Sequence, residues 1–137
     1  MPTFRRQLTN CAAAAIALLG FIICGGSRAE DAATAVLSPK DAGARYGQAL
    51  GAVEICYGSK VTGKASALGT AYTGKAHDDF EAQSAKIFES WIKVKNCADP
   101  RDPNMCKIIM DKSCATAEAE IGAAGSAIPG LVEFVKH

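Results

Sequence analysis

The feature that most limits the possible folds is the distribution of six cysteines along the chain. Cys11 and Cys24 lie at the two ends of an apolar stretch near the N-terminus. The remaining cysteines are spread over the rest of the chain, as Cys56, Cys97, Cys106 and Cys114. An even number of cysteines in a small exported domain is typical of structural disulfides. These four therefore predict two bridges if the N-terminal stretch is an export signal.

The N-terminal stretch has the layout of such a signal. A pair of arginines near the start is followed by the uncharged residues 11–24. Ser27 and Ala29 are small residues at the third and first positions before a cleavage site. Basic, apolar and small residues in this order are typical of a secretory signal peptide. We therefore predict that residues 1–29 are a cleaved secretory signal peptide.

Two other uses of this stretch stay open. It could be an uncleaved anchor, although it is shorter than the roughly 20 residues that a membrane span needs. It could also be a lipoprotein signal with Cys24 as the lipid acceptor, although Ile23 is larger than the residue that such a signal has before its cysteine. With a cleaved signal, the destination is the periplasm or the extracellular space, and the mature chain has no transmembrane segment.

Charge and composition narrow the class of protein further. The full chain has 15 basic and 14 acidic residues, and its signal contains three of the arginines and no acidic residue. The predicted mature chain is therefore weakly acidic, which argues against a nucleic-acid-binding protein. Hydrophobic residues make up 49% of the chain and charged residues 21%, which is typical of a globular domain rather than a disordered one.

The first predicted helix covers residues 41–57, with Asp41 as its cap. A stripe of larger apolar side chains recurs with helical spacing and consists of Tyr46, Leu50, Val53 and Tyr57. Three glycines are spaced four residues apart, at Gly43, Gly47 and Gly51. They either allow another backbone to approach closely or lie at the surface and weaken the helix.

Two more long helices are predicted beyond it. Residues 78–96 begin with a capping box of Asp78 and Glu81, and their apolar face carries Phe80, Ile87, Trp91 and Val94. Residues 103–124 begin with Asp102 as N-cap and Pro103 in the first turn, and the apolar tail 131–137 is predicted as a short helix. The expected fold is all-α: a small disulfide-stapled bundle of three main helices plus a short C-terminal helix, in one domain (41–137) after a flexible leader (30–40).

Residues 58–77 contain four glycines, so the sequence is compatible with either a helix or a loop in this segment. The tetrapeptide Thr-Gly-Lys-Ala occurs twice there, at 62–65 and 73–76. Its lysines, Lys64 and Lys75, are candidates for binding an anion. The complete phosphate-loop pattern is missing, so structural or accidental repetition is the preferred interpretation.

Three disulfide pairings are possible for four cysteines. We favour Cys97 with Cys106, because the turn between the second and third predicted helices brings them together. Cys56 then pairs with Cys114, which is compatible with an up-down-up order in which the first and third helices run in the same sense. The pairing 56–106 with 97–114 is the chief rival, and one that joins 56 to 97 also stays open. The chain contains no C-x-x-C, so a thioredoxin-type redox centre and a typical zinc site lack support.

Other chemistry has weak support in the sequence. His77, Asp78 and Asp79 could bind a metal ion, but a solvated helix start explains them better. Ser84 and Ser90 lack the surroundings of a nucleophile and are interpreted as surface residues. We predict no catalytic, cofactor-binding or metal-binding residue, and no cofactor. A cleft between helices could be lined by aromatic side chains, namely Tyr46, Tyr57, Tyr72 and Trp91.

The expected function is that of an exported, non-enzymatic helical protein that acts through its surface. It would bind another envelope or secreted protein, or protect the envelope. A small-molecule or metal carrier that uses an interhelical cleft is the alternative, and a small enzyme of unknown class is third. The general plan is similar to that of periplasmic acid-stress chaperones and of small secreted inhibitors, which are unrelated to each other. The similarity therefore implies an architecture and no particular activity.

Overall fold

A computed structural model describes residues 37–98 and 101–135, and this part of the chain forms four helices and one short ladder of two strands. The helices are α1 (Pro39–Ile55), α2 (Gly63–Gly69), α3 (Gly74–Lys95) and α4 (Pro103–Ile121), and the strands are β1 (Lys60–Val61) and β2 (Val132–Glu133). The prediction of a mostly helical protein is confirmed. The predicted signal peptide (1–29) and most of the predicted leader (30–36) lie outside the described residues.

Helix α1 begins and ends two residues earlier than predicted. Ser38, not Asp41, is its N-cap: the Ser38 hydroxyl accepts a hydrogen bond from the Asp41 amide at 3.1 Å and donates one to the Asp41 carboxylate at 2.6 Å. Pro39 occupies the first turn, where its missing N–H costs nothing and its fixed φ suits a helix. The end of the predicted leader is therefore helical. Tyr57 lies beyond the helix and is 85% exposed, so it does not extend the predicted stripe.

The face that α1 buries consists mainly of small residues, which is a second difference from the prediction. Its buried positions are Ala42, Gly43, Gly47, Gln48, Ala49, Gly51 and Ala52. A Cβ atom added at Gly43 would lie 2.2 Å from the carbonyl oxygen of Phe80, and one at Gly47 would lie 2.3 Å from that of Ser84. At these two positions the backbones of α1 and α3 approach each other too closely for any side chain. The close-packing interpretation of the glycines is therefore confirmed.

The same contacts fix the relative direction of the helices. Gly43, Gly47 and Gly51 face Phe80, Ser84 and Trp91 in that order, so α1 and α3 run parallel. Helix α4 runs antiparallel to α1, because Arg45 near the start of α1 binds Glu120 near the end of α4, while Cys56 just after α1 is bonded to Cys114 in the middle of α4. The up-down-up order assumed from the sequence is wrong.

Helices α1 and α3 are parallel because the connection between them returns the chain to the start of α1. Helix α2 lies in this connection, which continues along α1 as far as Tyr72. The Tyr72 hydroxyl donates a hydrogen bond to the carbonyl of Leu37 at 3.0 Å, beside the beginning of α1. The Tyr72 ring stacks on Phe80 with a centroid distance of 5.4 Å. Residues 58–77 therefore combine a short strand, a short helix and the start of α3.

Helix α3 begins four residues earlier than predicted, after Thr73. Asp78 and Glu81 consequently lie inside the helix, and the predicted capping box does not mark its start. Helix α4 has the predicted beginning, since the Asp102 carboxylate accepts a hydrogen bond from the Asn104 amide at 3.0 Å. It ends at Ile121, three residues earlier than predicted, with Gly122 as its C-cap.

The predicted C-terminal helix is wrong for the described residues of that segment. Gly130 has a φ of 77°, which turns the chain after Pro129. The amide of Leu131 then bonds to the carbonyl of Ile121 at 3.0 Å, and β2 pairs antiparallel with β1, with Val132 opposite Val61. Leu131 and Val132 are fully buried in this extended form. The edge of β1 and the free carbonyl groups at the end of α4 both offer hydrogen-bond partners to the extended chain. A separate short helix in this segment would not make these hydrogen bonds.

The core lies between α1, α3, the end of α4 and the C-terminal strand. Its largest fully buried side chains are Phe80, Ile121, Leu131 and Val132. Within residues 37–98 and 101–135, no helix is both long enough and apolar enough to cross a membrane.

Candidate binding groove around Trp91

The structure contains two disulfides, as the sequence predicted. Cys56 is bonded to Cys114 and Cys97 to Cys106, each pair with a Cα separation of 5.6 Å. This is the pairing that the sequence favoured, although α1 and α4 run antiparallel rather than in the same sense. The 56–114 bridge joins the end of α1 to the middle of α4. The 97–106 bridge joins the end of α3 to the first turn of α4.

The two copies of Thr-Gly-Lys-Ala turn out to be two helix starts. Thr62 and Thr73 are the N-cap residues of α2 and α3, so each copy spans the N-cap and the first three helical residues. The Thr62 hydroxyl accepts a hydrogen bond from Ala65 and donates one to the carbonyl of Gly130. Lys64 donates to the carbonyl of Pro129 at 2.7 Å, and Lys75 pairs with Asp79 at 3.5 Å. The repetition is thus structural, and the two lysines have separate partners.

The acidic cluster at the start of α3 does not assemble a metal site. His77 faces Glu81 at 3.9 Å, one turn along the helix, while Asp79 pairs with Lys75. Among the described residues, no group of three or more histidine, cysteine, aspartate or glutamate side chains could hold a metal ion. Of the two serines considered, Ser90 is exposed as expected. Ser84 is buried beneath Gly47, so its interpretation as a surface residue was wrong.

The four aromatic candidates do not share one cleft. Tyr46 and Tyr72 both pack against Phe80, with centroid distances of 5.3 and 5.4 Å. Tyr57 lines a separate cleft beside the Cys56–Cys114 bridge. Trp91 lies over Gly51, with Cγ of its ring 2.2 Å from the position that a Cβ would take there. Its side chain belongs to the buried core, with 9% of its surface exposed, and lines two clefts, which makes it the centre of the candidate site.

These two clefts share Ser90 and Trp91, and we refer to them together as the Trp91 groove. The first, the α1 cleft, has a volume of about 530 Å³ and lies between α1, α3 and the loop at Ala127 and Ile128. The second, the α4 cleft, has a volume of about 410 Å³ and lies between α3 and α4. Both clefts are lined by Ser90 and Trp91, so they lie next to each other along α3.

The α1 cleft has apolar walls and a fixed polar floor. Leu37, Ile87 and Ile128 contribute to the walls. On the floor, Nη1 of Arg45 donates to the Gln48 side-chain oxygen at 2.9 Å and to the Glu120 carboxylate at 2.5 Å. The Gln48 amide donates to the same carboxylate at 2.7 Å. Each member of this network is held by the other two, so its geometry is set before any ligand arrives.

The α4 cleft is more apolar and opens onto exposed side chains of α4. Val94 and Ile109 form its walls with Trp91, and its polar groups are the side chains of Ser90, Lys112, Ser113 and Thr116. Ile109 is 37% exposed, and its neighbours Met105 and Ile108 are 40% and 44% exposed. Residues three and four apart lie side by side on a helix, so these three side chains form one patch next to the cleft.

The sequence contained a signal for this patch that the prediction did not use. By helical spacing, Cys106, Met110, Ala117 and Ile121 share one face of α4, with Ile109 and Cys114 close by, and Ala117 and Ile121 are buried. Met105 and Ile108 are large apolar residues outside that face, and Ile109 lies beside them. A helix with apolar residues on a second face has a second surface to cover. The polar floor of the α1 cleft had no such signal, because Glu120 is 75 residues from Arg45 and 72 residues from Gln48.

No protein-family model, no curated protein and no solved structure matches this chain.

Proposed function

We propose that this chain is an exported, non-enzymatic helical protein that binds a segment of another envelope or secreted protein in the Trp91 groove. In this proposal α1, α3 and α4 act as a disulfide-stapled three-helix bundle, and its role is recognition or protection of the envelope. The observation that carries the proposal is that two clefts share Ser90 and Trp91, and that Ile109 of the second cleft also belongs to the exposed patch with Met105 and Ile108.

The shape and lining of the groove support a chain segment as the occupant. A depression that runs from Ile128 across Trp91 to Ile109 offers several apolar contacts in a row. Amphipathic helices are recognised in this way, by apolar anchors that enter a groove between helices. The tryptophan at the centre and the exposed aliphatic side chains at one end are typical of the residue types found at interface centres.

The two disulfides support the proposed location. Disulfides persist in oxidising compartments and are rare in the cytosol. Cys56–Cys114 and Cys97–Cys106 both fix α4, the helix that carries the exposed patch. In the proposal, this covalent anchoring keeps one wall of the α4 cleft in place without the burial that normally holds a helix. Cleavage of residues 1–29 and export are parts of the same proposal.

One observation favours the small-molecule carrier as a second candidate. The α1 cleft has a volume of about 530 Å³, and ligand pockets span roughly 300–1,000 Å³. Its lining combines the polar side chains of Asp41, Arg45 and Gln48 with apolar walls, which is the usual layout of a ligand site. The extension of the groove into the α4 cleft favours a longer occupant. The lack of enzymatic activity stays a prediction.

Site-specific photo-crosslinking in the cells that make the protein tests the proposal. A photoreactive amino acid replaces Ile109 in the groove or, as a matched control, Val61, which is also exposed (37% and 42%) but lines neither cleft. We expect a discrete adduct from position 109 and none from position 61. A second substitution, Ser90→Arg, would block the junction of the two clefts and should remove the adduct.

Two results would contradict the proposal. Equal adducts from both positions would mean that contacts are nonspecific. An adduct from position 109 that persists in the Ser90→Arg variant would place the contact outside the groove. Circular dichroism of each variant shows whether the fold is intact, so a failure to fold is not counted as a loss of binding.

A further inference from the structure

The charges around the α4 cleft are distributed unevenly, and this distribution constrains what the cleft can bind. Lys112 is the charged residue among those that line it. Lys86 and Lys93 are exposed on α3, four residues before and three residues after Ser90. Positions with these spacings are neighbours on a helix surface, so both lysines are neighbours of Ser90 on α3.

The acidic groups near this rim leave a basic excess. Asp111 pairs with Lys107 at 2.5 Å, and Glu120, one turn beyond Thr116, binds Arg45. Glu89 lies next to Ser90 in the sequence. It follows Lys86 by three residues and precedes Lys93 by four, so it neighbours both on the helix surface. Within the described residues, Lys86, Lys93 and Lys112 are not within 4.0 Å of any carboxylate. Three cations against the single carboxylate of Glu89 make the rim positive.

This local excess contrasts with the chain as a whole. The predicted mature chain has more acidic than basic residues, so a positive rim is not a consequence of composition. Apolar walls beneath a ring of ammonium groups complement an apolar segment that carries carboxylates on its outer side. The positive rim would also raise the rate at which an acidic segment approaches, and salt would reduce this effect.

We propose that the segment bound in the α4 cleft belongs to an acidic partner, with aliphatic or aromatic anchors against Val94 and Ile109 and carboxylates that pair with Lys112, Lys86 and Lys93. This inference rests on the proposed function, since it names the chemistry of the segment that the Trp91 groove binds. It predicts selectivity by charge, whereas groove binding alone predicts only a dependence on apolar contacts.

Two synthetic peptides separate the possibilities. Both are amphipathic helices with the same leucine face, and their polar positions are either all glutamate or all lysine. Trp91 is the only tryptophan of the chain and lines both clefts, so its fluorescence reports occupation of the groove directly. We expect the glutamate peptide to bind at least tenfold more tightly than the lysine peptide at low salt, with a smaller difference at high salt.

Charge-reversal variants identify the residue responsible. Lys112→Glu should weaken binding of the glutamate peptide roughly fivefold, which is what the loss of a surface ion pair typically causes. It should also strengthen binding of the lysine peptide. Lys75→Glu is the matched control, because it makes the same change of net charge at a side chain that is 85% exposed and lines neither cleft. We expect it to have no comparable effect.

The outcomes distinguish this inference from the function on which it rests. Equal binding of the two peptides, or equal effects of Lys112→Glu and Lys75→Glu, overturns the acidic preference and leaves groove binding standing. If neither peptide changes the emission of Trp91, both proposals are contradicted. Tighter binding of the lysine peptide would likewise overturn the acidic preference.

Discussion

Helix α1 and the first half of α4 are held in place in opposite ways. Gly43 and Gly47 let α1 lie against the backbone of α3, and both faces are buried. The first half of α4, residues 103–113, has no buried residue among the described side chains and exposes Met105, Ile108 and Ile109. One helix pair is held by close backbone packing, and the other segment is held by covalent bonds at Cys106 and Cys114.

The difference indicates which part of the molecule maintains the fold and which part is available for binding. Where α1 meets α3, any added atom has to displace the backbone. On the outer face of α4, side chains can change without disturbing a neighbour. A disulfide at each end of an exposed helical segment reduces its freedom without burying its apolar surface. Substitutions on the outer face of α4 are therefore expected to leave the contact between α1 and α3 unchanged.

The largest expected effect is the loss of the long disulfide. In the chain-entropy model, the 58-residue separation of Cys56 and Cys114 corresponds to about 4 kcal/mol, and the 9-residue separation of Cys97 and Cys106 to about 2.5 kcal/mol. We expect the double variant Cys56→Ser/Cys114→Ser to lose the larger amount of unfolding free energy in urea titrations. Cys97→Ser/Cys106→Ser should loosen the start of α4 and leave the α1–α3 contact intact. Equal losses of unfolding free energy in the two double variants would contradict the separate roles of the two disulfides.

The second largest effect is expected from a substitution in the glycine contact between α1 and α3. Gly47→Val places a branched side chain where even a Cβ would lie 2.3 Å from the Ser84 carbonyl oxygen. We expect the free energy of unfolding to fall by about 3 kcal/mol, the upper part of the usual range for overpacked sites. Gly63→Ala is the matched control, since nothing lies within 4 Å of its added Cβ. A stable Gly47→Val protein with an unchanged melting temperature would contradict the close backbone contact.

A smaller effect is expected at the polar floor of the α1 cleft. Glu120→Ala removes the acceptor of the Gln48 amide, and Gln48 is only 7% exposed. A buried donor without a partner costs about 1–3 kcal/mol. Glu54→Ala breaks an exposed pair between α1 and α3, with Lys95 at 2.7 Å, and should cost less than about 1 kcal/mol. Thermal unfolding of the two variants compares them, and an equal cost would show that the floor is no more than a surface ion pair.

The smallest effect on stability is expected in the exposed patch of α4. Ile109→Glu should change the free energy of unfolding by less than about 0.5 kcal/mol, because a surface substitution away from the core has little to disturb. Chemical denaturation followed by circular dichroism measures this change. A loss of more than about 2 kcal/mol would show that Ile109 belongs to the core, and that the first half of α4 is not a free surface.

These two regions also differ in how far the sequence predicted them. The apolar periodicity of α3 and the Asp102–Pro103 start of α4 are local signals, and both appear in the structure. The buried face of α1 was misjudged because the larger residues Tyr46 and Leu50 gave the stronger periodic signal. Only the partner helix reveals that Gly43 and Gly47 face inward.

The direction of the helices and the C-terminal segment depend on contacts between distant residues. A short helix at 131–137 fits the apolar composition of the tail. Strand β1 and the open carbonyls at the end of α4 provide competing partners that local propensity does not include. The same limit applies to the Trp91 groove, because its clefts are formed by α1, α3, α4 and the loop after α4. The sequence identified Trp91 as a cleft residue but not the residues that surround it.

The central claim is that the Trp91 groove, and not the apolar surface in general, binds a partner segment. The most direct test is the fluorescence of Trp91 during titration with the partner that is crosslinked at position 109, for the wild type, Ile109→Glu and Val61→Glu. We predict the same saturable change of emission for the wild type and Val61→Glu, and none for Ile109→Glu. A change of equal size and midpoint in all three proteins would contradict the claim.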